Sequence, residues 1–155
     1  MVKNKLAFSF IEILITVTIM SIFSGIALAS YNKQTAYKKL EMETSKLIDI
    51  LELAKKKATS SDYGDVDDCD FKGYDISFSA TTYSLNLLCT GSTPYPTLIN
   101  TYQLTNTVSI SLPAGPIIFS PSGSNNLSLQ TIVLTESNTA TTATIDIKYG
   151  NISKR

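Results

Sequence analysis

Residues 8–29 read FSFIEILITVTIMSIFSGIALA, and the arrangement of the whole chain follows from them. At about 1.5 Å per residue, a helix of this stretch covers a hydrocarbon core of about 30 Å. Its side chains are Ile, Leu, Val, Met and Phe with a few Ser and Thr, a mixture that a membrane helix tolerates. Lys3 and Lys5 stand before it, so the short N-terminal end is expected to stay cytoplasmic and the rest to lie outside. Lys33, Lys38 and Lys39 lie on the far side, ahead of a longer translocated domain.

Glu12 is the one charge inside this run. A charge at the centre of a membrane helix costs about 2.5–3.5 kcal/mol, and a carboxylate near one end costs less, but it still requires a partner. No Lys or Arg lies within a turn or two of it. Cleavage after Ala7 would create one. Phe8 would then carry a free α-ammonium with a pKa of about 7.7–8.0, and Glu12 would be the fifth residue of the mature chain. Neutralisation could occur within one subunit or between neighbours in a bundle.

The run Ala7-Phe8-Ser9-Phe10-Ile11-Glu12-Ile13-Leu14 resembles the prepilin cleavage and methylation motif of type IV pilins and type II secretion pseudopilins. The resemblance implies a basic leader removed by prepilin peptidase between Ala7 and Phe8, N-methylation of Phe8, and assembly through Glu12. Two departures stand out: Ala7 occupies a position that is usually Gly, and the Pro that kinks many major pilins near the end of the span is missing. The rival reading is a secretory signal peptide, with Lys3 and Lys5 as its basic region and cleavage after Ala29 at Ala27-Leu28-Ala29, releasing a soluble protein. Against it, the apolar run is longer than the usual 7–15 residues and Glu12 has no purpose there. A plain single-span anchor is the third possibility.

Charge divides the remainder. Thirteen basic and thirteen acidic residues balance to zero, which gives no bulk attraction for nucleic acid or anionic lipid. Twenty uncharged residues separate Glu12 from Lys33, a charge-dense stretch runs from Lys33 to Asp75, and Ile76 to Thr135 has no charge. In the charged stretch Tyr37, Leu40, Leu47, Ile48, Leu51, Ala54 and Ala58 fall on one helical stripe, while Lys38, Lys39, Glu43, Lys46, Lys55 and Lys56 lie largely elsewhere. Ile50 and Leu53 widen the stripe. No Gly or Pro interrupts Ile26 to Tyr63, so one long helix is expected, half in the membrane and half packed on a globular domain. Lys55-Lys56-Lys57 reads as a last helical turn complementing the macrodipole, in preference to a nucleic-acid patch.

After Lys72 the period becomes two. Ile76 and Phe78 alternate, as do Tyr83, Leu85 and Leu87, then Val108, Ile110 and Leu112. Further strands are expected at Ile117 to Phe119, Leu127 to Leu134, and around Ile145 and Ile147, separated by Gly- and Pro-rich turns. Six to eight short antiparallel strands result. The segment Ile118 to Gly123, with Ile145 to Ile152 around Gly150, is similar to the β domain of H-type pseudopilins and FimT-like minor pilins, although Lys55 stands where an Arg is often found. The expected fold class is therefore α+β and pilin-like. Residues 1–7 form a leader, 8–29 a transmembrane and assembly helix, 30–60 an amphipathic helix, and 61–155 a β-rich domain.

Chemistry is sparse. There is no His and no Trp, which removes the commonest general base and metal ligand. No phosphate-binding glycine loop is present, and no enzyme and no cofactor are expected. Cys69 and Cys89 are the only cysteines; in an exported domain they pair as a disulfide more readily than they bind zinc, the alternative being two unpaired thiols. Asp65, Asp67 and Asp68 lie in an acidic loop that could hold calcium, but without EF-hand spacing. Lys148, Lys154 and Arg155 near the C-terminus would be the contacts of a DNA-uptake minor pilin, a reading that zero net charge disfavours. The expected partners are other pilin or pseudopilin subunits, prepilin peptidase and one membrane. The expected location is the cytoplasmic membrane, single-pass with the C-terminal domain outside, and then an extracellular or periplasmic filament.

Overall fold

A 51-residue helix, α1, runs from Phe10 to Ser60 without interruption. The computed structural model describes residues 9–64, 66, 69–90, 97–111, 115–122 and 129–155, the side chains at 27 and 29 excepted. By its internal contacts the chain divides into two units, Met1–Thr35 and Ala36–Arg155.

In the first unit the described residues from Phe10 onward are helical and, apart from half-buried Thr35, their described side chains are exposed. Large apolar side chains point outward all round, with Phe10 81% and Phe23 68% exposed. The hydroxyls of Thr16, Thr18, Ser21 and Ser24 are satisfied by the helix itself. Thr16 donates to the Ile13 carbonyl at 2.8 Å, Ser21 to Val17 at 2.8 Å and Ser24 to Met20 at 2.8 Å. Polar side chains that bond back to the preceding turn present little unsatisfied polarity to an apolar medium.

In the second unit, Ala36–Ser60 of α1 turns a stripe of Ala36, Leu40, Thr44, Leu47, Leu51, Ala54 and Ala58 inward, spaced by three or four residues as one helical face requires. Tyr37, expected on this stripe, is 55% exposed, because it lies one residue round the helix from Ala36. Glu43 is also reversed: it is only 3% exposed, on the buried face beside Thr44.

Among the described residues eight strands follow: β1 (Asp70–Phe78), β2 (Thr82–Thr90), β3 (Thr97–Gln103), β4 (Val108–Ser111), β5 (Ile117–Phe119), β6 (Gln130–Glu136), β7 (Thr141–Lys148) and β8 (Asn151–Lys154). They form two antiparallel four-stranded sheets, ordered β3-β2-β1-β5 and β4-β6-β7-β8. One core joins the helical stripe to Tyr74, Ile76, Leu85, Ile117 and Phe119 of the first sheet and to Ile110, Ile132, Leu134, Ile145 and Ile147 of the second. The expected β alternation therefore becomes a shared apolar interior, and the fold class is α+β. β3 was not anticipated. It is an edge strand with Leu98 and Ile99 exposed, so it lacks the alternating pattern that burial imposes on a strand.

Two backbone features fix the ends. At the close of α1, Asp62 N–H donates to the Lys57 carbonyl at 3.1 Å and Ser61 N–H to Ala58 at 3.2 Å. Ser61 sits at φ 51°, so this is a Schellman stop with serine at the position usually held by glycine. In β1, Gly73 at φ +138° makes the bulge between Phe71 and Gly73, and a Cβ there would lie 2.1 Å from the Phe119 carbonyl oxygen. Glycine lets β5 approach β1 at that point.

Candidate functional site

Glu12 stands in the first turn of α1 and is exposed. The Ser9 carbonyl accepts from the Glu12 N–H at 3.0 Å and the Ile13 N–H at 3.3 Å. The carboxylate thus lies where unpaired helix N–H groups give a partial positive charge. Among described residues it has no ion-pair partner. Ala7 and Phe8, the expected cleavage and methylation positions, lie outside the described residues. The helix carrying Glu12 is long and apolar enough to cross a membrane, and it is the one such helix among the described residues.

Cys69 and Cys89 are joined in a disulfide, with Cα atoms 5.1 Å apart. It links the segment entering β1 to the end of β2, and Cys89 is directly opposite Phe71 in the ladder. Beside it Phe71 stacks on Tyr63 at 5.3 Å and meets the edge of Tyr74 at 5.7 Å. The Tyr74 hydroxyl donates to the Asp62 carbonyl, tying the helix stop to β1.

The calcium candidates Asp65, Asp67 and Asp68 lie outside the described residues. Their flanking acids are engaged with lysines. Lys57 Nζ donates to Asp62 at 2.8 Å, and Lys72 Nζ to Asp70 at 2.6 Å. These hydrogen bonds hold both carboxyls below the ordinary range and raise Lys57.

The three cations expected near the C-terminus do not form one patch. Lys154 lies 3.6 Å from Glu41, and Arg155 Nε 3.6 Å from Asp146, beside a small pocket lined also by Tyr37 and Leu40. Lys148 lines a different cavity, with Lys55, Tyr149, Gly150, Asn151 and Ser153.

Several buried polar groups escape a reading of the sequence. Glu43 accepts from Thr105 Oγ1 at 2.6 Å and from Lys46 Nζ at 3.2 Å. Tyr83, stacked on Tyr102 at 5.2 Å, has its phenol pushed up to about 12, by burial first and then by Glu43. Asp75 is buried, and one of its oxygens has no hydrogen-bond partner among the described residues; burial raises its pKa, against the Asn86 amide. Glu136 is buried at the β6–β7 turn, where its carboxylate accepts from Asn138 Nδ2 at 3.1 Å and from the Thr139 N–H and hydroxyl at 2.9 Å each. Burial acts to raise its pKa, but the Thr139 bonds and their neighbours outweigh it and the pKa is lowered. The signal for Glu43 was its place one residue from Thr44 on the inward stripe; its partner is 62 positions away. Comparisons with protein-family models, curated proteins and solved structures return no match to this chain.

Proposed function

We propose that the chain is a minor pilin or pseudopilin, a filament subunit anchored by its N-terminal helix, cleaved by prepilin peptidase after Ala7 and methylated on Phe8. The observation that carries this reading is the continuity of α1. One helix runs from an exposed apolar stretch headed by Glu12 to a stripe buried in the β domain. A secretory signal would be removed as a separate piece, whereas here the helix passes through Ala29 and on to Ser60 without a break.

In this mechanism the span between Phe10 and Leu28 first sits in the cytoplasmic membrane, with residues 36–155 outside. It then leaves the bilayer to pack against the same helix of other subunits. Self-bonded hydroxyls on Thr16, Thr18, Ser21 and Ser24 suit both apolar surroundings. Glu12, desolvated among helices, selects the register that brings it to an α-amino group, since an unpaired buried carboxylate is strongly unfavourable. The two-sheet domain is proposed to correspond to the H-type pseudopilin and FimT-like β domain. The DNA-uptake reading is weakened because two of its three expected contacts, Lys154 and Arg155, are already paired with acids, and Lys148 lines a different cavity.

Mass spectrometry of the mature N-terminus tests the proposal. A chain beginning at N-methylated Phe8 supports it. One beginning at Ser30, or retaining residues 1–7 in assembled material, overturns it.

A further inference from the structure

The β7–β8 connection has two central residues, Tyr149 at φ 50° and Gly150 at φ 79°. Both are in the left-handed region, as a type I′ turn demands, and the first such position favours Asn, Asp or Gly. Tyrosine there is strained, and its side chain is 69% exposed, so core packing does not explain it. Strain of this kind points to a use for the side chain.

The surroundings indicate the use. Tyr149 lines an open cavity of about 470 Å³ together with Lys55 from α1, Lys148, Gly150, Asn151 and Ser153. Lys148 Nζ stands 6.0 Å from the centre of the Tyr149 ring, at the limit of a cation–π contact. No carboxylate lines the cavity among its described residues, and neither Lys55 nor Lys148 has an ion-pair partner among them. That sets these lysines apart from Lys154 and Arg155, which are paired.

We propose that this cavity is a binding site for an acidic saccharide. The tyrosine face offers an apolar platform for the C–H face of a sugar ring. Asn151 and Ser153 supply amide and hydroxyl partners for ring hydroxyls, and the two ammonium groups receive a carboxylate. Nucleic acid fits less well. Duplex DNA carries a charge every 1.7 Å or so of its axis and a single strand one every 3.4 Å or so, and both are held by runs of cations, whereas this cavity has two and the chain's net charge is zero. The site lies wholly in residues 36–155 and does not depend on the filament reading.

The test is calorimetric titration of the full chain in nonionic detergent with oligogalacturonate, its methyl-esterified neutral counterpart, and a single-stranded oligonucleotide. Oligogalacturonate is expected to bind, and raised salt to weaken it. Lys55→Gln and Lys148→Gln should each reduce affinity about tenfold. Tyr149→Asn supplies the residue the turn prefers, so it should raise the thermal midpoint while reducing affinity by about the same factor. Absence of binding by the acidic oligomer overturns the proposal, as does equal binding of the neutral one. Tighter binding of the oligonucleotide reassigns the cavity to phosphate, and unchanged affinity in Tyr149→Asn removes the tyrosine platform.

Discussion

The Thr105 hydroxyl donates to the Glu43 carboxylate at 2.6 Å across 62 positions of sequence. This bond fastens the β3–β4 connection to α1 from inside the domain, since Glu43 is almost wholly buried. Lys46 reaches the same oxygen at 3.2 Å from a largely exposed position. Thr105→Val deletes the neutral donor and leaves a buried charge with one fewer partner. It should lower stability by about 2 kcal/mol, read as a shift in the urea midpoint. Pairing it with Glu43→Gln in a double-mutant cycle should show coupling between the two sites; additive effects would mean the bond contributes nothing.

The Cys69–Cys89 bridge closes a loop of 20 positions and holds the entry to β1 against β2. Restricting the unfolded chain in this way contributes about 3 kcal/mol in the chain-entropy account. Reduction, or Cys69→Ser with Cys89→Ser, should lower the denaturant midpoint accordingly, while far-ultraviolet circular dichroism keeps its helical signal. An unchanged midpoint would show that the aromatic cluster of Tyr63, Phe71 and Tyr74 already fixes that end.

How far the sequence reveals this fold depends on whether a residue's environment is local. The apolar stripe of Leu40, Leu47, Leu51, Ala54 and Ala58 is visible because helical period alone brings these residues together, and the strands at Ile76, Tyr83, Ile110, Ile132 and Ile145 announce themselves by alternation against a core. β3 is hidden because an edge strand with exposed Leu98 and Ile99 carries no such signature. Glu43, Asp75 and Glu136 are hidden because charge predicts exposure, and only partners distant in sequence or in a turn reverse it. Of the three positions with a role in the proposed assembly, Ala7, Phe8 and Glu12, Glu12 alone falls among the described residues. The cavity at Lys55 and Lys148 joins residues 93 positions apart, beyond the reach of any motif.

Two buried carboxyls make opposite predictions for pH. Asp75 has a folded pKa raised by burial, so its ionised form destabilises the fold at neutral pH, and the penalty is relieved as pH falls through the raised value toward the ordinary one. Asp75→Asn should therefore stabilise the protein at neutral pH, with the gain vanishing in acid. Glu136 has a lowered folded pKa. Its contribution is present above the ordinary carboxyl value and is lost as pH falls through the folded value, so Glu136→Gln should destabilise at neutral pH and converge with the parent in strong acid. Thermal unfolding of both variants across pH decides this; parallel curves for either variant would contradict its assignment.

Gly73 brings β1 and β5 together. An added Cβ would meet the backbone of Phe119, with its carbonyl oxygen at 2.1 Å and its carbonyl carbon at 3.0 Å, and backbone cannot swing aside as a flexible side chain can. With the positive φ disfavouring any Cβ as well, Gly73→Ala should cost about 3 kcal/mol. Loss of amide protection at Ile117 to Phe119 in hydrogen exchange would locate the damage at that pairing. Full protection there would show that β5 is held by the core alone.

Glu12 distinguishes the proposed assembly mechanism from simple helix electrostatics. An acidic residue in the first turn complements the helix dipole by about 0.3–1 kcal/mol, a local effect unrelated to neighbours. A carboxylate that must meet another subunit's α-amino group inside a helical bundle acts quite differently, because its removal eliminates the preference for one register. Glu12→Ala should abolish or severely reduce incorporation into filaments. The thermal midpoint should stay unchanged, because among the described residues every core residue lies at or beyond Ala36. Glu12→Gln sharpens the comparison: it keeps the size and hydrogen-bonding capacity of the side chain and loses only the charge. If pairing with an ammonium sets the register, Gln should fail nearly as badly as Ala. Normal recovery of Glu12→Ala in sheared filament fractions would remove the carboxylate from the mechanism.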